Sequence, residues 1–424
     1  MTAKGVLMKR KTMIMMMTII AAATMIFMTS CANESSDDSD DSSGTTKTVT
    51  ISNASNTKIS YSGVLVVDGT TESYSGETFT STASNQVTVL VLNGGSLTLT
   101  GCTINKSGDG SSSSSGTSAD DNFNFYGLNS AIVCVGTGST VTLDDCTVTT
   151  TSKYSNAVFA CDDGAITIKD GITISTTKDS SRGLYATYDG SITSDTTGAV
   201  SITTAGAHCA ALATDRGGGT VTVNGTATNR CTLSTAGDGS PCIYSTGKIS
   251  ASYMTGTSTG AQALVVEGLN SITLADCTVS GKDSSYGGIM LYQSTSGDAE
   301  TGTASLTMTD CTIQDNGGKT LFFITNTDAA VSVTNCTFKN ASGEDYASST
   351  ATNALILCGA TSRWGSSGSN GGKLQFNAYK QKLYGTVCAS ASDSSIALSY
   401  DSNSTYNCTK ATSGGSVTVN GSSL

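Results

Sequence analysis

The chain has 424 residues, of which 47 are Gly, one is Pro, one is His and one is Trp, and only 13% are charged. That excludes a collagen-like chain, which needs Pro and a strict Gly period, a coiled coil, which needs abundant Glu, Lys and Leu, and an ordinary multi-helix enzyme. The net charge of −11 argues against nucleic acid and anionic lipid as partners. The 37% hydrophobic content falls in short β-branched runs, so the chain is read as all-β with a core.

Lys4, Lys9, Arg10 and Lys11 precede an uncharged apolar stretch, 12–28, that ends in Met28-Thr29-Ser30-Cys31. This resembles the bacterial lipoprotein signal, in which a small residue precedes a lipidated Cys. The resemblance implies that 1–30 are removed, that Cys31 is the lipidation site, and that the exported protein is lipid-anchored to the cell envelope at its outer surface. A plain secretory signal or one spanning helix is the alternative, but the stretch is short for a span. Residues 31–46, with Glu34, Asp37, Asp38, Asp40 and Asp41 among serines, read as a self-repelling tether. The body is 47–424, expected to be a monomer.

The body repeats one pattern: an alternating strand, a corner of Gly, Asp or Asn, and a second strand that starts at Cys. It occurs around Cys102, Cys146, Cys277, Cys311 and Cys336. The slot also accepts other residues, as in Asp170-Gly171-Ile172 and Asn229-Arg230-Cys231. A further short strand precedes each pair, as in Ala157-Val158-Phe159-Ala160-Cys161, Gly183-Leu184-Tyr185-Ala186-Thr187 and Gly287-Gly288-Ile289-Met290-Leu291. Three strands per period without a connecting helix are the signature of a β-solenoid. Over about 50–424 the chain resembles the right-handed parallel β-helix family, the pectin-lyase-like architecture also seen in bacterial adhesins. The expected fold is one right-handed parallel β-helix of roughly ten or eleven coils, with three short strands per coil.

Strict alternation assigns Phe159, Tyr185, Leu212, Ile243, Leu264, Ile289, Phe322 and Leu355 to the core. It turns Ala160, Ala186, Ala213, Tyr244, Val265, Met290, Phe323 and Ile356 outward. That apolar outer face is either covered by the inserts 104–130 and 359–373 or is a contact surface. Cysteines that share a slot with Ile and Val are read as core hydrophobes rather than disulfide partners. Zinc is disfavoured because the single His208 has no CxxC pair to join.

The strand ends and corners carry the candidate ligand-binding residues Asp162, Asp163, Tyr188, Asp189, Asp215, Arg216, Glu267 and Tyr292, expected to form a ridge along the coils. Asp163, Asp189 and Asp215 are candidate Ca²⁺ ligands, and paired carboxylates are also the equipment of glycoside hydrolysis. The ridge is similar in place to where pectate lyases hold calcium and polygalacturonases keep their acids, but the motifs around His208 and Arg216 differ from theirs. The bland alternative is that Asp and Gly simply favour tight corners. Trp364, in a polar Gly-rich loop, is either a platform for sugar rings or a cap, and 120–126 is either a glycan-contacting loop or a plug. No residue is assigned a catalytic role. The leading expectation is a non-catalytic surface lipoprotein that binds polysaccharide or another cell-surface ligand, as an adhesin would. The alternatives are a polysaccharide lyase or glycoside hydrolase acting on acidic glycan, and a purely structural envelope protein.

Overall fold

The computed structural model describes residues 44–111, 117–195, 197–283, 285–346 and 354–421. The signal, Cys31 and nearly all of the tether lie outside these residues. The described chain winds as parallel strands stacked coil upon coil. Its first sheet has 14 strands, of which only the edge strand Thr45–Ile51 is antiparallel, pairing with Thr57–Asp68. Thirteen parallel rungs therefore stand where ten or eleven coils were expected. The additional rungs lie at the ends, at Thr57–Asp68, Lys382–Ala389 and Thr405–Thr412, where the Cys-centred pattern is missing.

Second and third strands follow the first-sheet rungs as far as Thr320–Thr325, and in Thr140–Thr150 and Ala165–Thr176 the two run together through the corner. Among the described residues no third strand follows Thr337–Lys339, and the last coils have two strands each. The corner residues Gly101, Asp145, Asp276, Asp310 and Asn335 all have φ between 49° and 59°. This left-handed geometry is available cheaply to Gly, and to Asn and Asp better than to other side chains. The cysteine that follows each of them is buried in the main core beside Ile, Val and Leu.

First-sheet register corrects the sequence reading. Val158 pairs with Leu184, Leu184 with Leu212, and the row continues through Ile243, Leu264, Ile289, Phe322 and Ile356. This row is inside, so Leu212, Ile243, Leu264, Ile289 and Phe322 are core residues as expected, and Leu355 also packs in the core. Phe159 and Tyr185 are instead one position further on, facing outward with Ala213, Tyr244, Val265, Met290 and Phe323. Ala160, Ala186 and Ile356, expected outside, belong to the core.

The outward face is itself largely buried, which explains its apolar side chains. Val49, Ile51, Ile59 and Tyr61 from the N-terminal hairpin pack over Phe159, Tyr185 and Ala213 together with Phe125 from the helix Thr117–Tyr126. A second cover forms nearer the C-terminal end, where Trp364 packs with Val265, Met290 and Phe323. Each large apolar side chain taken out of water in these covers contributes about 1.5–3 kcal/mol. Among the described residues no helix is long and apolar enough to cross a membrane.

Candidate functional site

Between the two covers the sheet face is open. Tyr244 packs against both apolar clusters, and beside it lies a groove of about 530 Å³. Tyr244, Val265 and Met290 line its floor, Asn124 and Arg182 one side, and Arg363 and Trp364 the other. Its acceptors include Asp215, Asp238 and Asp283, and it also contains His208 and Tyr286.

Two outward rows of the parallel ladder build the polar part. One contains Tyr185 and Tyr244, and the other, two residues along each strand, contains Asp215, Glu267 and Tyr292. Tyr185 donates its hydroxyl to Asp215 at 2.8 Å, and the Arg216 N–H donates to the same carboxylate at 2.9 Å. Burial nevertheless pushes the Asp215 carboxyl up from 3.8 to about 6. Glu267, 1% exposed, accepts from the hydroxyls of Tyr244 and Tyr292, the latter at 2.7 Å, and from the Ser294 N–H at 3.3 Å. Burial, with the neighbouring negative charge, raises both tyrosines well above their ordinary range, so they remain hydroxyl donors. Arg182 donates to Asn124 Oδ1 at 2.9 Å and sits 4.6 Å from the Tyr185 ring centroid.

Trp364 forms the far wall as part of an aromatic cluster. Its ring lies 4.8 Å from Tyr292 and 5.2 Å from Tyr286 between centroids, and the Arg363 guanidinium is 5.1 Å from it. Asn370 fixes the loop by donating to the carbonyls of Trp364 and Thr361 at 2.7 and 2.6 Å. Three of the expected ligand-binding residues, Asp215, Tyr292 and Trp364, thus line one groove, and Glu267 supports its floor from behind.

The remaining candidates are elsewhere because strand end and corner are different positions of the coil. Asp162, Asp163, Tyr188 and Asp189 are corner residues with φ from 47° to 64°. Asp162 is buried and accepts the N–H groups of Ser52 and Asn53 at 3.0 and 2.8 Å, holding down the tip of the N-terminal hairpin. Asp163 accepts from Asn53 and Thr137. Tyr188 is stacked on Tyr126 at 5.5 Å, so the end of the 120–126 segment packs on this corner, while its Asn124 lines the groove. Arg216 faces away from the groove, toward Asp298 and Asp121. The three Ca²⁺ candidates are split between a corner and a strand end, and among the described residues no group of three or more His, Cys, Asp or Glu is placed to hold a metal ion.

Sequence reasoning missed Arg182, Tyr244 and Tyr286 as groove residues and Tyr185 as the buried partner of Asp215. The available signal was a Tyr one rung before a carboxylate and two positions earlier in the strand, as in Tyr185 with Asp215 and Tyr244 with Glu267.

Comparison with known proteins agrees with this architecture: the family described as right handed beta helix region matches residues 183–362. The matched span contains most of the groove, and the described residues have the fold of a parallel β-helix throughout. No curated protein and no solved structure gives a match.

Proposed function

We propose that the protein is a surface-displayed lipoprotein, anchored through Cys31 and spaced by its acidic tether, whose β-helix binds a polysaccharide without cleaving it. The observation that carries this reading is the wall made by Trp364 against Tyr286 and Tyr292 at the edge of a groove rich in hydrogen-bonding groups. Aromatic faces cover the apolar side of a sugar ring, while Arg182, Arg363, Asp238 and Asp283 supply donors and acceptors for its hydroxyls. Pull-down of the body on insoluble polysaccharides and on polygalacturonate, with and without Ca²⁺, tests it. The expected outcome is retention that Trp364→Ala abolishes, with no sugar released.

A hydrolase is the second reading, favoured by the Asp215 carboxyl at about 6, which suits a general acid. It is weakened by Glu267, whose carboxylate is already occupied by two tyrosine hydroxyls and a backbone N–H. Release of reducing or unsaturated sugars, lost in Asp215→Asn, would replace the binding reading with this one.

A further inference from the structure

The corner leading from the first sheet to the second varies in length from rung to rung. Residues 188–190, 216–219 and 268–270 fill it on three rungs, yet between Thr246 and Lys248 stands only Gly247. Thr220, Lys248 and Ser271 still pair in register, so the shortened corner leaves a notch in the side of the solenoid. Gly247 is required there, since a Cβ would lie 2.5 Å from the Gly219 carbonyl oxygen. The longer corners on either side and the excursion 293–302 enclose a cleft of about 750 Å³.

Thr246 lines this cleft, is 2% exposed, and its Oγ1 has no hydrogen-bond partner, although its N–H donates to Thr214 Oγ1 at 2.9 Å. A buried hydroxyl left unpaired costs about 1–3 kcal/mol. Thr246 directly follows Ser245, the last residue of its first-sheet strand, and stands at the mouth of the shortened corner. Leu269, 53% exposed, is also in the lining, with Asp189, Lys248 and Glu300. Partial burial and Asp163 raise the Asp189 carboxyl, with Lys248 opposing them.

We propose that the notch is a second binding site, for a neutral sugar residue. Its charges are of both signs, which suits neither an anion nor a cation alone. Hydroxyls of one ring can donate to Asp189 and Glu300 and accept from Lys248, while the apolar ring face covers Leu269. The site adjoins the aromatic groove, since Asp215 lines one and Arg216 the other. This inference rests on the glycan-binding reading above.

Calorimetric titration of the full body with cellohexaose, xylohexaose, mannohexaose and, as the acidic control, hexagalacturonate tests it. The variants are Trp364→Ala for the groove and Asp189→Asn/Lys248→Ala for the notch, with Asn retained at 189 to suit its left-handed backbone. At least one neutral hexasaccharide should bind wild type at two sites. Trp364→Ala should remove one, and the notch variant should weaken the other at least tenfold. Single-site binding lost in Trp364→Ala and unchanged in the notch variant would overturn the second site while leaving the groove intact. Hexagalacturonate as the sole ligand of the notch would overturn the neutral-sugar assignment. If no hexasaccharide binds, the inference falls, and if insoluble polysaccharides also fail to retain the protein, the glycan reading falls with it.

Discussion

Arg216 and Asp298, 82 residues apart, tie two excursions of the solenoid together: Arg216 Nε donates to Asp298 Oδ1 at 3.1 Å while the guanidinium lies 4.0 Å from the Phe125 ring centroid. One side chain thus braces the helix that plugs the outer sheet face and the 293–302 excursion that walls the notch. Arg216→Ala should cost about 1 kcal/mol, because the pair is partly exposed. Limited proteolysis should cut faster within 293–302. Unchanged cleavage there would show that the excursion holds itself in place.

Asp162 serves the N-terminal cover in the same way. Asp162→Ala removes the acceptor of two backbone N–H groups and should cost about 2–3 kcal/mol. Hydrogen exchange should rise in 45–62 well before the inner rungs are affected. Uniform loss of protection along the whole chain would contradict a local role.

The Asp215 carboxyl is raised by burial to about 6. With a folded pKa above the unfolded one, the folded state binds more protons between about 4 and 6, so stability falls as pH rises through that window and stays lower above it. Asp215→Asn should therefore raise stability near pH 7.5, by at most about 2–3 kcal/mol, with the gain vanishing near pH 4. Thermal melts at both pH values check this, and a variant that is less stable at pH 7.5 would contradict it.

The slot cysteines should behave as small hydrophobes. Cys146 is buried in the core ladder and pairs in register with Ile172, so Cys146→Val should change stability by less than about 1.5 kcal/mol, whereas Cys146→Asp should prevent folding. Burial pushes the Cys134 and Cys242 thiols up to about 12. At pH 8 a thiol reagent should label half-buried Cys388 ahead of the inner cysteines, and Cys408 more slowly than Cys388 because burial also pushes its thiol up to about 12. Rapid labelling of the inner cysteines without denaturant would show that the ladder opens.

The repeat made the solenoid legible because corner chemistry is local: Gly, Asp or Asn before Cys forms a left-handed turn at 101, 145, 276, 310 and 335, although Asn407 before Cys408 continues a strand. First-sheet register was less legible. Phe159 and Tyr185 are larger than Val158 and Leu184 and looked like the core residues, yet the hairpin and helix bury the outer face too. A strand apolar on both faces loses the twofold signal that would orient it. The groove was only half legible for the same reason. Trp364, Asp215 and Tyr292 stood out by residue type, but Arg182 and Tyr244 acquire their place only from covers that end on either side of them.

Trp364 is the only tryptophan in the chain and lies on the groove wall, so its fluorescence reports occupancy directly. Titrating the body with soluble oligosaccharides of whichever polysaccharide retains it should shift or quench that emission saturably, at the concentrations at which binding is seen by calorimetry. Trp364→Ala should lose at least tenfold in affinity at the groove while keeping its fold. Tight binding with unaltered Trp364 emission and undiminished affinity in Trp364→Ala would place the ligand elsewhere and contradict the account.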